Sequence, residues 1–117
     1  MAQKALGQVT PASTTIALRA TNNNPTGLGV AQNYPCQAIQ FQALSTNTGS
    51  VYICDRETPT LTQHVHHEIP PPSAGPPETK PTWSVGNPAG TNPLCANDYW
   101  ILPEVSGEGV RVTVLIT

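Results

Sequence analysis

Alternating apolar and polar residues mark a long stretch near the middle of the chain, residues 37–55, as a pair of β-strands. Ile39 and Phe41 fall on one face of the first run, and after a polar loop Val51 and Ile53 share a face of the second. A repeat of two residues is typical of a strand that buries one side. The loop between the runs has hairpin length and ends in glycine, so the pattern predicts a central hairpin.

A second pair of strands is predicted at the end of the sequence. Residues 98–102 form a strongly apolar run, and residues 110–117 alternate strictly after a short glycine-containing turn, which predicts a second hairpin. The inward positions of the two hairpins form the predicted core: Ile39, Phe41, Val51, Ile53, Val110, Val112, Val114 and Ile116.

Shorter runs at residues 14–20, 60–67 and 82–85 add further strand candidates, separated by loops rich in proline and asparagine. Six to eight short strands joined by such turns predict an all-β fold: a small antiparallel β-sandwich or barrel, jelly-roll-like in character. We expect one domain over residues 14–117, preceded by an extended arm at residues 1–13 and interrupted by a proline-rich excursion at residues 69–81.

Two segments are candidates for docking a partner. The N-terminal arm is extended by composition, and the proline-rich segment is stiff, so it loses little conformational entropy when a partner captures it. The alternatives are a loose terminus and a simple spacer. The residues that we assign to partner binding are Gln8, Val9, Thr10, Pro11, Pro70, Pro71, Pro72 and Trp83.

The chain is poor in charge, and this narrows the classes of partner. Five Lys and Arg residues against seven Asp and Glu residues leave little attraction for nucleic acid or an anionic membrane. No apolar run approaches the roughly 20 residues of a membrane helix. A surface rich in amides and hydroxyls can be desolvated against a partner more easily than a charged one, which favours a subunit of an assembly.

The three cysteines show no metal-binding spacing, and Met1 to Gly7 contain no apolar core of a signal peptide. We therefore expect reduced thiols in a protein made in a cytosol, with a Cys36–Cys54 bridge as the alternative.

One cluster, at residues 64–68, resembles a metal site in its spacing. On a strand His64, His66 and Glu68 project to one side, as two imidazoles and a carboxylate that bind a divalent ion would. Solvated or interface histidines are the alternative, and we expect no cofactor. No spacing specifies a catalytic triad or a phosphate-binding loop, so we expect no enzyme activity. Trp83 and Trp100 are candidates for a ligand platform or for core and interface anchors.

The two strand pairs resemble segments of small virion structural proteins of tailed bacteriophages. The sequence QALSTNTGSVYICD is similar to the form N-x-G-x-V-Y-I-G-D, with Cys54 in place of the usual glycine. DYWILPEVSGEGVRVTVLIT is similar to a short apolar strand, a glycine-rich turn and V-R-V-x-V. The likeness covers Ala38 to Asp55 and Tyr99 to Ile116.

This resemblance implies a β-sandwich without catalytic activity that decorates and cements a phage capsid. The implied partners are the major capsid protein and further copies of the chain, with a trimer as one arrangement, and the implied location is the capsid surface of a virion assembled in the host cytoplasm. The alternatives are a structural protein of the head-to-tail neck or tail, and a glycan- or receptor-binding module that uses Trp83, Tyr34 and the asparagine-rich loop at residues 21–34.

Overall fold

A computed structural model describes residues 2–21, 35–73, 80–86 and 94–116. Within these residues the secondary structure consists of β-strands and one 3-10 turn, Ala96–Asp98. The strands are β1 (Ala2–Val9), β2 (Leu18–Arg19), β3 (Pro35–Cys36), β4 (Ala38–Ala43), β5 (Val51–Cys54), β6 (Val65–Ile69), β7 (Thr82–Gly86), β8 (Leu94–Cys95), β9 (Trp100–Pro103) and β10 (Val110–Ile116).

The strands form two four-stranded antiparallel sheets. Sheet A has the order β1-β10-β4-β7, and sheet B has the order β2-β9-β5-β6, while β3 and β8 form a separate short pair. The inward faces of sheets A and B enclose the main hydrophobic core. The predicted all-β fold is confirmed, as a small β-sandwich whose strands are more numerous and shorter than the sequence pattern indicated.

The core is built from the inward residues of both sheets. Seven of the eight residues assigned to it from the sequence are at most 1% exposed: Ile39, Phe41, Val51, Ile53, Val110, Val112 and Val114. Ile116 is only partly buried and packs against the core from the end of β10. Burying one side chain of this size stabilises a fold by about 1.5–3 kcal/mol, so each of these residues contributes substantially to the stability of the domain.

The central pair of strands is not a hairpin, and this corrects the prediction for residues 37–55. β4 pairs with β10 and β7 in sheet A, whereas β5 pairs with β9 and β6 in sheet B. Residues 44–50 therefore form an arch that crosses from one sheet to the other. The alternating pattern shows which face of each strand is buried, but two strands that bury facing sides satisfy it equally well from opposite sheets.

The same correction applies to the strand pair at the end of the chain. β9 lies in sheet B between β2 and β5, and β10 lies in sheet A between β1 and β4. Residues 104–109 thus form a second arch, which contacts the first at one end of the sandwich.

The contact between the two arches, which we call the arch junction, consists of Asn47, Thr48, Gly49, Glu108 and Gly109. The Asn47 amide donates to the Gly109 carbonyl oxygen at 2.7 Å and accepts from the Gly109 N–H at 3.3 Å. The Glu108 carboxylate accepts from the Thr48 N–H and hydroxyl, both at 2.8 Å, and from the Gly49 N–H at 2.9 Å. These bonds satisfy backbone groups that neither sheet pairs.

The acid–base state of Glu108 follows from this contact. Partial burial raises the pKa of its carboxyl, but the hydrogen bonds from Gly49 and Thr48 outweigh that effect, and the pKa lies below its usual range. The ionised carboxylate is therefore the form that the arch junction stabilises.

The N-terminal segment is not an arm, which corrects the assignment of residues 1–13. β1 is an edge strand of sheet A, paired along its length with β10, and a bulge between Ala5 and Gly7 shifts its register. Leu6 and Val9 are fully buried in the core. The bulge inserts one residue, which breaks the period of two and explains why this strand is hard to recognise in the sequence.

The cysteines are free thiols. Burial raises the pKa of Cys36 to about 11 and that of Cys54 to about 12, so neither forms a thiolate readily at neutral pH. The alternative Cys36–Cys54 bridge is not formed. No helix within the described residues has the length and hydropathy needed to span a membrane.

Candidate docking surface

The outer face of sheet A carries four glutamine amides and three hydroxyls among its twelve positions, and we call it the amide face. The strand register places its residues in three rows across the four strands. Every second residue points outward, except where the bulge in β1 shifts this alternation by one residue. From one end of the sheet to the other, the rows are Gln3, Leu115, Ala38 and Gly86; Ala5, Thr113, Gln40 and Ser84; and Gln8, Arg111, Gln42 and Thr82.

The amide face is almost free of charge. Arg111 is the one ionisable side chain among the described residues of its three rows, and none of these residues is acidic. Most of its side chains are exposed, and the remainder are half-buried by their neighbours. A face of this composition offers donors and acceptors at regular spacing without the desolvation penalty of buried ions.

Two shallow cavities lie on the amide face, one at each end. The first, of about 290 Å³, is lined at the arch end by Gln8, Gln42, Ala43, Leu44, Ser45, Thr46, Lys80 and Arg111. The second, of about 170 Å³, is lined at the opposite end by Gln3, Ala38, Ile39, Gln40, Ser84, Thr113, Val114 and Leu115. The face therefore has relief in which side chains of a partner can be seated.

The outer face of sheet B is different because the segment before β2 covers part of it. Cys54, Leu102 and Ala17 form a small second cluster there and are at most 3% exposed, with Tyr52 and Trp100 packed against them. The Ala17 N–H donates to the Glu57 carbonyl oxygen at 2.7 Å, which joins the segment before β2 to the loop between β5 and β6. Within the part of the chain that the structure describes, the residues of the amide face are exposed or half-buried, so this face is accessible to a partner.

Trp83 belongs to a stack of rings at the side of the sandwich where β6 and β7 are the outermost strands. Its ring is 5.7 Å from that of Phe41 and 5.1 Å from that of His67, nearly parallel to both. Tyr99 continues the cluster between Phe41 and His66. The position of Trp83, half-buried between two other rings, favours an anchor of the core over an open ligand platform.

Trp100, the other tryptophan, is half-buried on the outer side of sheet B. The guanidinium of Arg19 lies 4.4 Å from its ring centroid, a cation–π contact. Trp100 therefore already has a partner for its ring.

The histidine cluster does not have the arrangement that its spacing suggested. β6 begins only at Val65, and the His64 ring nitrogen Nδ1 instead accepts from the Thr60 N–H at 2.9 Å in the preceding turn. A bulge in the pairing of β6 with β5 also removes the common parity of the remaining two candidates. His66 contacts Tyr99, and Glu68 accepts from the Ser50 hydroxyl at 2.8 Å. Within the described residues no group of three His, Cys, Asp or Glu side chains is placed to bind a metal ion.

The residues assigned to partner binding are divided by the structure. Val9 and Pro11 are buried within the domain, so their side chains are not accessible to a partner, and this corrects their assignment to partner binding. Gln8 lies on the amide face, and Thr10 is exposed beside it.

Pro70 is exposed and follows the end of β6, while Pro71 and Pro72 are partly buried. The rest of the proline excursion at residues 74–79, together with Tyr34 and the asparagine-rich loop from residue 22, lies outside the described residues.

A third cavity, of about 450 Å³, is lined by Arg19, Asp55, His66, Leu94, Cys95, Asp98, Tyr99 and Trp100. The cation of this cavity, Arg19, already has a hydrogen-bond partner, because a nitrogen of its guanidinium donates to the Asn97 carbonyl oxygen at 2.8 Å. Arg56 donates to Asp55 at 2.8 Å, and this hydrogen bond lowers the pKa of the Asp55 carboxyl. Arg19 and Asp55 therefore both have partners within the chain.

The sequence carries a signal for the amide face in the outward positions of its two most regular strands, β4 and β10. These positions are occupied by Ala38, Gln40, Gln42, Arg111, Thr113 and Leu115, none of which is acidic. Which strands lie beside them, and hence the extent of the face, depends on the arches and on β1. No family model, no curated protein and no solved structure matches the chain.

Proposed function

We propose that the chain is a non-enzymatic structural protein of a bacteriophage virion that decorates and stabilises the capsid by bridging neighbouring shell subunits. The observation that carries the proposal is the open, nearly uncharged amide face of sheet A. The sequence resemblance at residues 38–55 and 99–116 supports the class of protein, and the β-sandwich agrees with the fold that this resemblance implies.

The size of the amide face sets the strength of the contact. Four strands about 4.8 Å apart and roughly six residues long cover a flat area of about 400 Å². Each partner in a standard protein interface buries about 800 Å², so this face alone provides a weak contact. On a shell that repeats the same site many times, linked copies gain avidity without stronger individual contacts. A weak face is therefore sufficient for a decorating protein that associates with itself or spans two subunits.

A binding experiment with undecorated shells of the same phage tests the proposal. Purified protein is mixed with the shells, bound protein is measured by sedimentation, and the complex is imaged by electron microscopy. Regular density over the shell surface is the expected result. Density confined to the neck or tail would favour those locations instead, and an absence of binding to any virion part would overturn the proposal.

One substitution tests whether the amide face makes the contact. Gln40→Glu places a carboxylate in the middle row of the face, where a docked partner would bury it without a counterion, and shell binding should fall at least tenfold. Gln63→Glu is the matched control, because Gln63 is exposed in the loop between β5 and β6 and the change in charge is identical. Equal losses from both variants would show that net charge, and not this face, governs binding.

A further inference from the structure

The larger cavity of the amide face, which we call the basic pocket, gathers two of the five basic residues of the chain. Arg111 lies in the row formed by Gln8, Gln42 and Thr82, so an amide side chain flanks its guanidinium on each neighbouring strand. Adjacent side chains on one face of an antiparallel sheet are about 4.5–5.5 Å apart, which lets three of them contact one small group.

The second cation of the pocket is held in place by backbone contacts. The segment that carries Lys80 is joined to β4 because the Ala43 N–H donates to the Pro81 carbonyl oxygen at 2.9 Å. The Thr82 hydroxyl also donates to the Lys80 carbonyl oxygen at 3.2 Å. These hydrogen bonds hold the backbone of Lys80 at the edge of the pocket. Ser45 and Thr46 also line the pocket and contribute hydroxyl groups.

The charges of the pocket are not neutralised by the described part of the chain. Neither Lys80 nor Arg111 forms an ion pair with a described residue, and no acidic residue is among those that line the basic pocket. Two cations, two amides and two hydroxyls around one cavity offer many hydrogen-bond donors and an unbalanced positive charge, which is the chemistry of an oxyanion site.

The size of the basic pocket and its two cations indicate which kind of anion it can bind. Neutralising two phosphates would give nucleic acid only a weak, strongly salt-dependent attraction, too little for stable binding. A volume of about 290 Å³ is at the lower limit for a drug-sized ligand and suits a single acidic side chain with its neighbours. The planar guanidinium of Arg111, flanked by amides, matches the planar, two-oxygen geometry of a carboxylate.

We propose that the basic pocket binds a carboxylate of an acidic segment on the protein to which the amide face docks. The carboxylate accepts two hydrogen bonds from Arg111 and further ones from the Gln8 and Gln42 amides, with Lys80 supplying additional positive charge. The assignment rests on the proposed docking function for the identity of the partner, but the chemistry of the pocket can be tested without any shell.

The test is an NMR titration of the ¹⁵N-labelled protein with three probes: a hexaglutamate peptide, a hexaglutamine peptide and inorganic phosphate. Hexaglutamate should produce saturable shifts in the Gln8 and Gln42 side-chain amides and in the Ser45 and Thr46 backbone amides. Hexaglutamine should produce none. Phosphate binding tighter than hexaglutamate would overturn the assignment to a carboxylate, and shifts spread evenly over the surface would overturn the pocket itself.

Two substitutions with a matched control complete the test. Arg111→Gln should weaken hexaglutamate binding about ten- to a hundredfold, as expected for the loss of a charged hydrogen-bond donor. Arg111→Lys, which keeps the charge but loses the planar fork, should retain only part of the affinity. Arg56→Gln changes the net charge equally at an ion pair with Asp55 and should leave the affinity unchanged.

Unchanged binding in Arg111→Gln, or equal losses in Arg111→Gln and Arg56→Gln, would overturn the inference. The remaining amide resonances report whether each variant is folded. Because the titration contains no shell, a pocket that binds hexaglutamate while the protein fails to decorate shells would overturn the proposed function and leave the pocket standing.

Discussion

Replacing Asn47 by alanine should destabilise the whole domain, although Asn47 lies in a loop. Its side chain is 6% exposed, and both of its polar atoms bond to the backbone of Gly109 across the arch junction. Removing the amide leaves a buried N–H and a buried carbonyl oxygen of Gly109 without this partner, and it loosens the contact that holds the two arches together.

The magnitude follows from the two bonds. The Gly109 N–H loses its 3.3 Å partner, and the carbonyl oxygen loses its 2.7 Å partner but keeps a longer bond from the Leu44 N–H at 3.4 Å. A buried group left unsatisfied costs about 1–3 kcal/mol. Because the N–H loses its hydrogen bond and the carbonyl oxygen keeps only the longer one, we expect the free energy of unfolding to fall by about 2–3 kcal/mol. Because natural domains have about 5–15 kcal/mol of stability, the variant should still fold.

Urea unfolding followed by tryptophan fluorescence measures this loss. With a slope of about 2 kcal/mol per molar urea, the midpoint of Asn47→Ala should fall by about 1–1.5 M. Thr46→Ala is the control in the same loop, because Thr46 is exposed, and it should change stability by less than about 0.5 kcal/mol. A midpoint for Asn47→Ala within the range of this control would refute the structural role assigned to the arch junction.

Three further predictions concern the same parts of the molecule. Gly109→Ala should prevent or severely weaken folding, since the added Cβ would lie 1.8 Å from a carbonyl oxygen of β1, and circular dichroism of the purified variant checks this. The pKa of Glu108 is lower in the folded than in the unfolded chain, so its contribution to stability is present above the unfolded value of about 4.3 and is lost as the pH falls through the folded value. Glu108→Gln should reduce this loss in urea titrations between about pH 6 and about pH 3. Cys95, which is half-buried, should react first with a thiol reagent at about pH 8, and Cys36 and Cys54, whose pKa values are raised to about 11 and about 12, should react only on unfolding.

The sequence pattern locates the buried side of the main strands but not their partners. Phe41 and Val112 are assigned to the core from a period of two, and that period reports only which side chains share a face. It carries no information about which sheet a strand joins, so an arch and a hairpin give the same pattern. The strand that contains Leu6 escapes recognition because the bulge disrupts its alternation.

The candidate site is harder to predict than the core. The amide face exists because β1, β10, β4 and β7 lie side by side, and each neighbouring pair joins strands that are distant in the sequence. The histidine cluster is the opposite case, because the sequence suggests a site there whose side chains the structure does not bring together. Spacing along an assumed strand suggests a common side for His64 and His66, whereas the turn before β6 and the bulge within it separate them.

The arch junction also explains much of the sequence resemblance in physical terms. In the two segments that carry it, Asn47, Gly49 and Gly109 join the arches, and the alternating valines of β10 fill the core. These residues are required by the fold, and we expect similar residues in any protein with two such arches. Arg111 is different, because it neither packs in the core nor contributes to the junction. Its exposed position on the amide face makes it the residue at which the proposed docking function, as distinct from the fold, is best tested.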